Sequence, residues 1–175
     1  MTVERVGELT HKGKPRTVIG ARLKVGDRAP DFTLVANDFS EVRLADSAGK
    51  VRLISVVPSL DTEVCDLQTR RFNQEAAGFG PDVVVLTVSA DLPYAQRRWC
   101  GAAGVDRVQT LSDHRDMNFG NAYGTHIKET RLEQRAVFIV DRDDVVRYAE
   151  YVAELSQHPD YEAALAALRE VVEAK

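Results

Sequence analysis

Cysteine is scarce in this chain: only Cys65 and Cys100 occur among its 175 residues. Two are too few for a disulfide scaffold, and a chain of this length buries a core without such staples. No apolar run approaches the length of a bilayer span. The start, MTVERVGELTHKGKP, has no apolar h-region, which predicts a cytoplasmic protein. Charge of one sign is also lacking. With 23 basic and 27 acidic residues the net charge is -4, no electrostatic reason to bind nucleic acid or an anionic membrane. No C-x-x-C is present, so a dithiol oxidoreductase of that type is not supported. Neither GxGxxG nor GxxxxGK[ST] occurs, which excludes the common nucleotide loops. The four histidines, His11, His114, His126 and His158, are far apart and show no H-E-x-x-H or comparable metal spacing. Repeats, low-complexity stretches and long linkers are missing too, so one domain over residues 1–175 is expected.

What is present alternates between strand and helix. Val3 to Leu9 and Thr17 to Ile19 read as a hairpin around the turn cluster HKGKP. Short strands are expected at Phe32–Val35 and Glu41–Leu44. VRLISVVP, Val51 to Pro58, is β-branched and almost wholly apolar, the pattern of a central strand covered on both faces. A helix should follow over Thr62–Ala77, with Asp61 as N-cap. A second buried strand fits Val83–Ser89, and a helix fits Pro93–Ala103, with its proline where a missing N–H costs little. Val108–Leu111 reads as a strand and Met117–Tyr123 as a short helix. Arg135–Asp141 and Val145–Tyr151 form an antiparallel pair across a turn at Arg142–Asp144, and Tyr161–Ala174 is an amphipathic helix. The order βαβ followed by ββα predicts an α/β protein with a mixed sheet. A thioredoxin-like arrangement with an added N-terminal hairpin satisfies it. A flavodoxin-like sheet would need its strands parallel, and the tight turn at Arg142–Asp144 argues against that.

The segment PSLDTEVC, Pro58 to Cys65, leaves the first strong strand and enters a helix. Loops at the carboxyl end of such strands are where α/β proteins place their chemistry. Unpaired N–H groups and the positive dipole end of the helix favour a thiolate there. Thr62, three residues before Cys65, is expected on the same helical face, its hydroxyl free to donate or accept. Pro58 can shield the sulfur and shape the loop. Glu63 and Asp66 oppose a thiolate if they face it, with Arg70 and Arg71 as compensating charges. Arg135 is the better chemical candidate if the sheet brings it alongside Pro58. The structural counter-readings are a strand-breaking proline, a capping threonine, a core thiol and a strand-edge arginine paired with an acid. Trp99, beside Cys100, reads as packing. Phe119 and Tyr123 fit either packing or the edge of a substrate pocket. Asp113, His114 and Asp116 read as a polar loop.

PSLDTEVC matches the PxxxTxxC motif of peroxiredoxins. The longer string PSLDTEVCDLQTRRF resembles the thiol peroxidase branch, the atypical two-cysteine peroxiredoxins. GDRAPDFTL (Gly26–Leu34), NFGNAYG (Asn118–Gly124), RAVFIVD (Arg135–Asp141) and PDYEAAL (Pro159–Leu165) extend the resemblance over essentially the whole chain. The resemblance implies that Cys65 is peroxidatic, with Thr62, Pro58 and Arg135 as its active-site partners. It places the resolving cysteine on Cys100, with a disulfide to Cys65 inside one subunit. It also implies a homodimer, recycling by thioredoxin or a similar dithiol, and hydrogen peroxide and alkyl or lipid hydroperoxides as substrates. No flavin, heme or metal is called for. Glu63 departs from the small residue common at that position. Two other readings of Cys65 stay open from the residues alone. One is a thiol hydrolase or transferase, which needs a nearby base. The other is a peroxide-responsive redox sensor or binding protein on the same fold.

Overall fold

The computed structural model describes residues 2–174. The chain opens with the expected hairpin, β1 (Glu4–His11) and β2 (Lys14–Ile19). Its turn is tighter than the HKGKP cluster suggests. Lys12 and Gly13 alone make it, both at positive φ (51° and 78°), the backbone twist that two-residue hairpins favour. Next come β3 (Thr33–Val35), β4 (Glu41–Arg43), a 3-10 turn (Leu44–Ser47) and β5 (Val51–Val56). Helix α1 (Glu63–Ala76), β6 (Val83–Ser89), α2 (Pro93–Ala103) and β7 (Gln109–Ser112) follow. The rest is α3 (Asn118–Tyr123), β8 (His126–Ile127), β9 (Leu132–Glu133), β10 (Ala136–Val140), β11 (Val146–Tyr151) and α4 (Tyr161–Glu173).

A seven-stranded sheet in the order β11-β10-β5-β6-β7-β3-β4 forms the centre. The strands β5, β6 and β7 are parallel, β10 runs antiparallel beside β5, and β11 runs antiparallel beside β10. The sheet is therefore mixed, and the fold is thioredoxin-like with an added hairpin. That hairpin continues into a second, four-stranded sheet, β1-β2-β8-β9. The two-residue strands β8 and β9 are too short to carry an alternating pattern, and nothing in the sequence announced them.

Alternation along the buried strands divides the core in two. Val51, Leu53, Val137 and Ile139 face one way and meet Phe72 of α1 and Ala164, Leu165 and Leu168 of α4. Ile54, Val56, Phe138 and Val140 face the other way and meet Phe119 and Tyr123 of α3. Each large side chain buried here contributes about 2 kcal/mol of transfer free energy. Phe119 and Tyr123, stacked with ring centroids 4.2 Å apart, are fully buried core residues. Residue 55 falls on the α1 side by the same alternation, and so does residue 135, just before β10. That parity carries the site.

Candidate active site

Helix α1 starts one residue later than expected, and its N-cap is Thr62 rather than Asp61. Thr62 is extended (φ −98°, ψ 151°), so it stands before the first turn, not on it. Its hydroxyl donates to the Ser59 carbonyl at 3.2 Å and caps nothing in the helix. The first helical bond runs from the Asp66 N–H to the Thr62 carbonyl at 2.9 Å, which leaves the amides of the first turn pointing out of the helix end. The buried face of α1 is Cys65, Gln68, Thr69 and Phe72, an i, i+3, i+4, i+7 stripe laid on the sheet.

The loop between β5 and α1 is held from the next strand. Asp91 accepts from the Ser59 hydroxyl (2.8 Å), the Leu60 N–H (2.9 Å) and the Ser89 hydroxyl (2.7 Å). This carboxylate has no motif of its own. Its role follows from parallel β5 and β6 ending side by side. Pro58 is buried in this loop and donates no N–H.

Cys65 is fully buried, packed with Val57, Leu60 and Trp99. Arg135 is buried too. Its Nη1 donates to the Cys65 Sγ at 3.3 Å and to the Gln68 Oε1 at 3.0 Å, while Nε and Nη2 both donate to the Leu155 carbonyl (3.2 and 2.8 Å). Gln68 Nε2 in turn donates to the Ser55 hydroxyl at 2.7 Å. The sheet does bring Arg135 alongside the end of β5: Ala136 pairs with Val56 and Val137 with Ser55. Arg135 makes no ion pair with an acid among the described residues; its partners are a carbonyl, an amide oxygen and the sulfur. Gln68 lay outside the sequence reading, although a polar residue on an otherwise apolar helical stripe was a usable signal.

The charges beside Cys65 sort themselves outward. Glu63 is exposed. Asp66 accepts from Trp99 Nε1 (2.9 Å) and from Arg70 Nε (2.8 Å). Arg70 also lies 5.7 Å from the Trp99 ring centroid and donates to the Ala103 carbonyl at 3.2 Å. Arg71 pairs with Glu75 and Glu162. Neither arginine reaches the sulfur, so the compensation expected of them goes to the carboxylates instead. The Asp66–Trp99–Arg70 contact latches α1 to α2. Beside it opens a groove of about 610 Å³, lined by Leu60, Thr62, Glu63, Leu67, Arg70 and Trp99 among others. Leu60 and Trp99 thus line the groove and also belong to or pack against the cluster around the buried cysteine.

Cys100 is half-buried on α2, its Sγ 3.4 Å from the Thr110 hydroxyl, which donates to Asn37 Oδ1 at 3.0 Å. It lines a different depression, with Asn37, Val105 and Thr110. Both cysteines are free thiols.

A second buried polar centre lies just upstream of Arg135. Asp113, read from sequence as part of a polar loop, is buried and accepts from the Phe119 N–H (3.1 Å) and the Gly120 N–H (2.9 Å). Glu133 is fully buried and faces it. Burial, with the Asp113 carboxylate next in effect, raises the Glu133 carboxyl well above the usual range. Thr125 donates its hydroxyl to Glu133 Oε2, while Oε1 is buried without a hydrogen-bond partner. Gly120 makes room, since a Cβ there would stand 2.9 Å from the Glu133 carboxylate. His126, partly buried nearby, is shifted down by desolvation, against the pull of Asp113.

A thioredoxin-like sheet presenting a buried cysteine at a helix start, with an arginine on its sulfur, defines a cysteine-based redox enzyme. Comparison with known proteins gives the family. The Redoxin family model matches residues 24–165. A thiol peroxidase of Bacillus subtilis is 58% identical over 167 residues, covering 95% of this chain and 99% of that one. One of Staphylococcus aureus is 55% identical over 164 residues, covering 94% and 99%. The crystal structure of a peroxiredoxin-like protein from Aquifex aeolicus superposes with a TM-score of 0.88 at 36% identity, covering 97% of this chain and 98% of that one. The chain belongs to the Redoxin family, in the thiol peroxidase branch of the peroxiredoxins. Its activity is the reduction of peroxides by a cysteine.

Proposed function

We propose that Cys65 is the peroxidatic nucleophile, that Arg135 and Thr62 orient the hydroperoxide, that Pro58 shields the sulfur, and that Cys100 resolves the oxidised state. The observation that carries this reading is the 3.3 Å contact from Arg135 to the Cys65 sulfur in a fully buried setting. The thiolate attacks the distal oxygen of ROOH, the O–O bond breaks, and the alkoxide leaves as alcohol after taking the hydroperoxide proton. Fixed donors from Arg135 meet the charge that develops on the oxygens. Thr62 spends its own proton on the Ser59 carbonyl, so its oxygen is left to accept from the hydroperoxide O–H. Cys65 is left as a sulfenate, which takes up from solvent the proton its thiol had released and becomes a sulfenic acid. The Cys100 thiol attacks that sulfur, water leaves, and a disulfide remains. A thioredoxin or similar dithiol reduces it by exchange, and the chain works as a homodimer.

The disulfide step needs Cα atoms within about 7 Å. Cys65 is enclosed by Val57, Leu60 and Trp99, while Cys100 faces Thr110. Turnover therefore unwinds the first turn of α1, the end of α2, or both.

The test is intact mass after one equivalent of cumene hydroperoxide, with free thiols alkylated. The parent is expected to lose two hydrogens and accept no alkyl group, as unlinked monomers. Cys100→Ser is expected to gain one oxygen and turn over poorly with thioredoxin. Cys65→Ser is expected to leave the peroxide unconsumed. A Cys100→Ser variant with the parental steady-state rate would sink the resolving assignment, and a peroxide-consuming Cys65→Ser the nucleophile assignment.

A further inference from the structure

The groove beside Trp99 has an apolar wall and a charged rim. Leu60, Leu67, Trp99, Ala102 and Ala103 form the wall, drawn from α1, α2 and the loop before α1. At about 610 Å³ it falls in the size range of sites for small organic ligands. Thr62 stands on its rim, so the groove reaches the residue that meets the hydroperoxide. Four charged side chains also line it, and they do not cancel. Asp66 and Arg70 neutralise each other at 2.8 Å. Asp61 and Glu63 are exposed on either side of Thr62, and neither makes an ion pair among the described residues. The rim therefore carries two uncompensated negative charges.

These charges run against the rest of the site. The open amides of the first turn of α1 and the buried Arg135 guanidinium both favour anions. Behind a neutral rim, such a centre would draw in carboxylates as readily as peroxide oxygens. We infer that Asp61 and Glu63 set the charge class of the substrate: the groove takes the organic part of neutral hydroperoxides, and its two unpaired carboxylates turn away hydroperoxides that carry a negative charge. Both residues also steady α1, since carboxylates near a helix start complement its dipole. That role is blind to the substrate, and the selection is not. The inference rests on the roles given above to Cys65 and Thr62.

Single-turnover oxidation of Cys65, quenched by alkylation and read by mass, tests it with a matched pair of probes. One is cumene hydroperoxide bearing a ring carboxylate. The other is the methyl ester of that acid, close in shape and uncharged. At low salt the parent is expected to react with the ester about tenfold faster than with the carboxylate, the scale of two like charges within a Debye length. Raising the salt to about 0.5 M is expected to narrow that ratio to about threefold, because exposed charges are screened. Asp61→Asn and Glu63→Gln are each expected to narrow it about threefold at low salt, and the double variant to bring the two rates together. A helix-steadying role alone would change both rates in proportion and leave the ratio where it was. Equal rates in the parent, or a parental ratio in the double variant, overturn the inference and leave the assignment of Cys65 intact. A Cys65 that neither probe oxidises overturns that assignment and this inference with it.

Discussion

Glu133 is the residue at which pH acts most directly on this fold. It is fully buried, and its carboxyl is raised well above its ordinary value by burial and by Asp113. The folded chain therefore holds a proton there that the unfolded chain gives up. The stability this proton supports is complete below the ordinary glutamate range, and it drains away as pH rises through the folded value. Glu133→Gln imitates the protonated acid, accepting from Thr125 and donating to Asp113. Its melting temperature is expected to exceed the parent's by a margin that widens from pH 5 to pH 9, measured by thermal unfolding in a pH series. A constant margin would show that no proton is held. Neither this pair nor Gln68 was read in the sequence, for different reasons. Gln68 lies on a helical stripe whose period is visible. Glu133 lies on a two-residue strand with no period at all, and its partner is twenty residues away. Cys65, Thr62 and Pro58 were legible because they share one short segment. Arg135 was chemically legible, but its nearness to the sulfur depends on the register of β10 with β5.

At the scale of elements, α1 and α2 are fastened to each other beside both cysteines. Asp66 follows Cys65, Trp99 precedes Cys100, and the two are joined at 2.9 Å, with Arg70 closing the contact. In the proposed cycle the two cysteines would have to meet beside this latch, which would compete with disulfide formation while a sulfenic acid waits. Trp99→Phe keeps the ring and deletes the donor. At excess peroxide with a dithiol present, this variant is expected to accumulate about half as much sulfinic acid per turnover as the parent, since one lost hydrogen bond of ~0.5 kcal/mol shifts a partition about twofold. Mass spectrometry of the Cys65 peptide checks it. More sulfinic acid would mean that the latch aids closure. The helices themselves were legible almost to the residue. Pro93 opens α2 and Gly104, at φ 68°, closes it. The start of α1 was misjudged because Asp61 and Thr62 are both good caps, and the choice is made by the loop that Asp91 holds.

For the molecule as a whole, the buried Arg52 and the proposed peroxide site sit at opposite ends of β5. Cys65 follows its C-terminal end. Near its N-terminal end Arg52 is fully buried, donating to Ser47 Oγ (2.8 Å) and to the carbonyls of Asp141 (2.9 Å) and Leu44 (3.2 Å), and paired with Asp144 at 2.7 Å. This arginine stitches the 3-10 turn and the β10–β11 turn to the central strand. Removing one partner of a buried pair costs about 3 kcal/mol. Arg52→Met is expected to lose about that much in urea unfolding, while the peroxide rate of the folded protein stays at the parental value. A matching drop in rate would mean that β5 transmits strain along its length. Among the described residues no helix is long and apolar enough to cross a membrane. The mixed topology was legible because β5 and β6 are largely apolar strands separated by a helix and a tight turn at 142–144 sends the chain back antiparallel, whereas the order of β3 and β4 at the far edge depends on contacts no local pattern encodes.

The chain has a single tryptophan, and it is Trp99. Its indole donates to a carboxylate, lies near a guanidinium and packs against the cluster that holds Cys65. Ultraviolet emission from this protein thus comes chiefly from one ring at the seam between α1 and α2. Every step that opens or closes the helix pair changes what that ring touches, so the molecule carries its own optical clock.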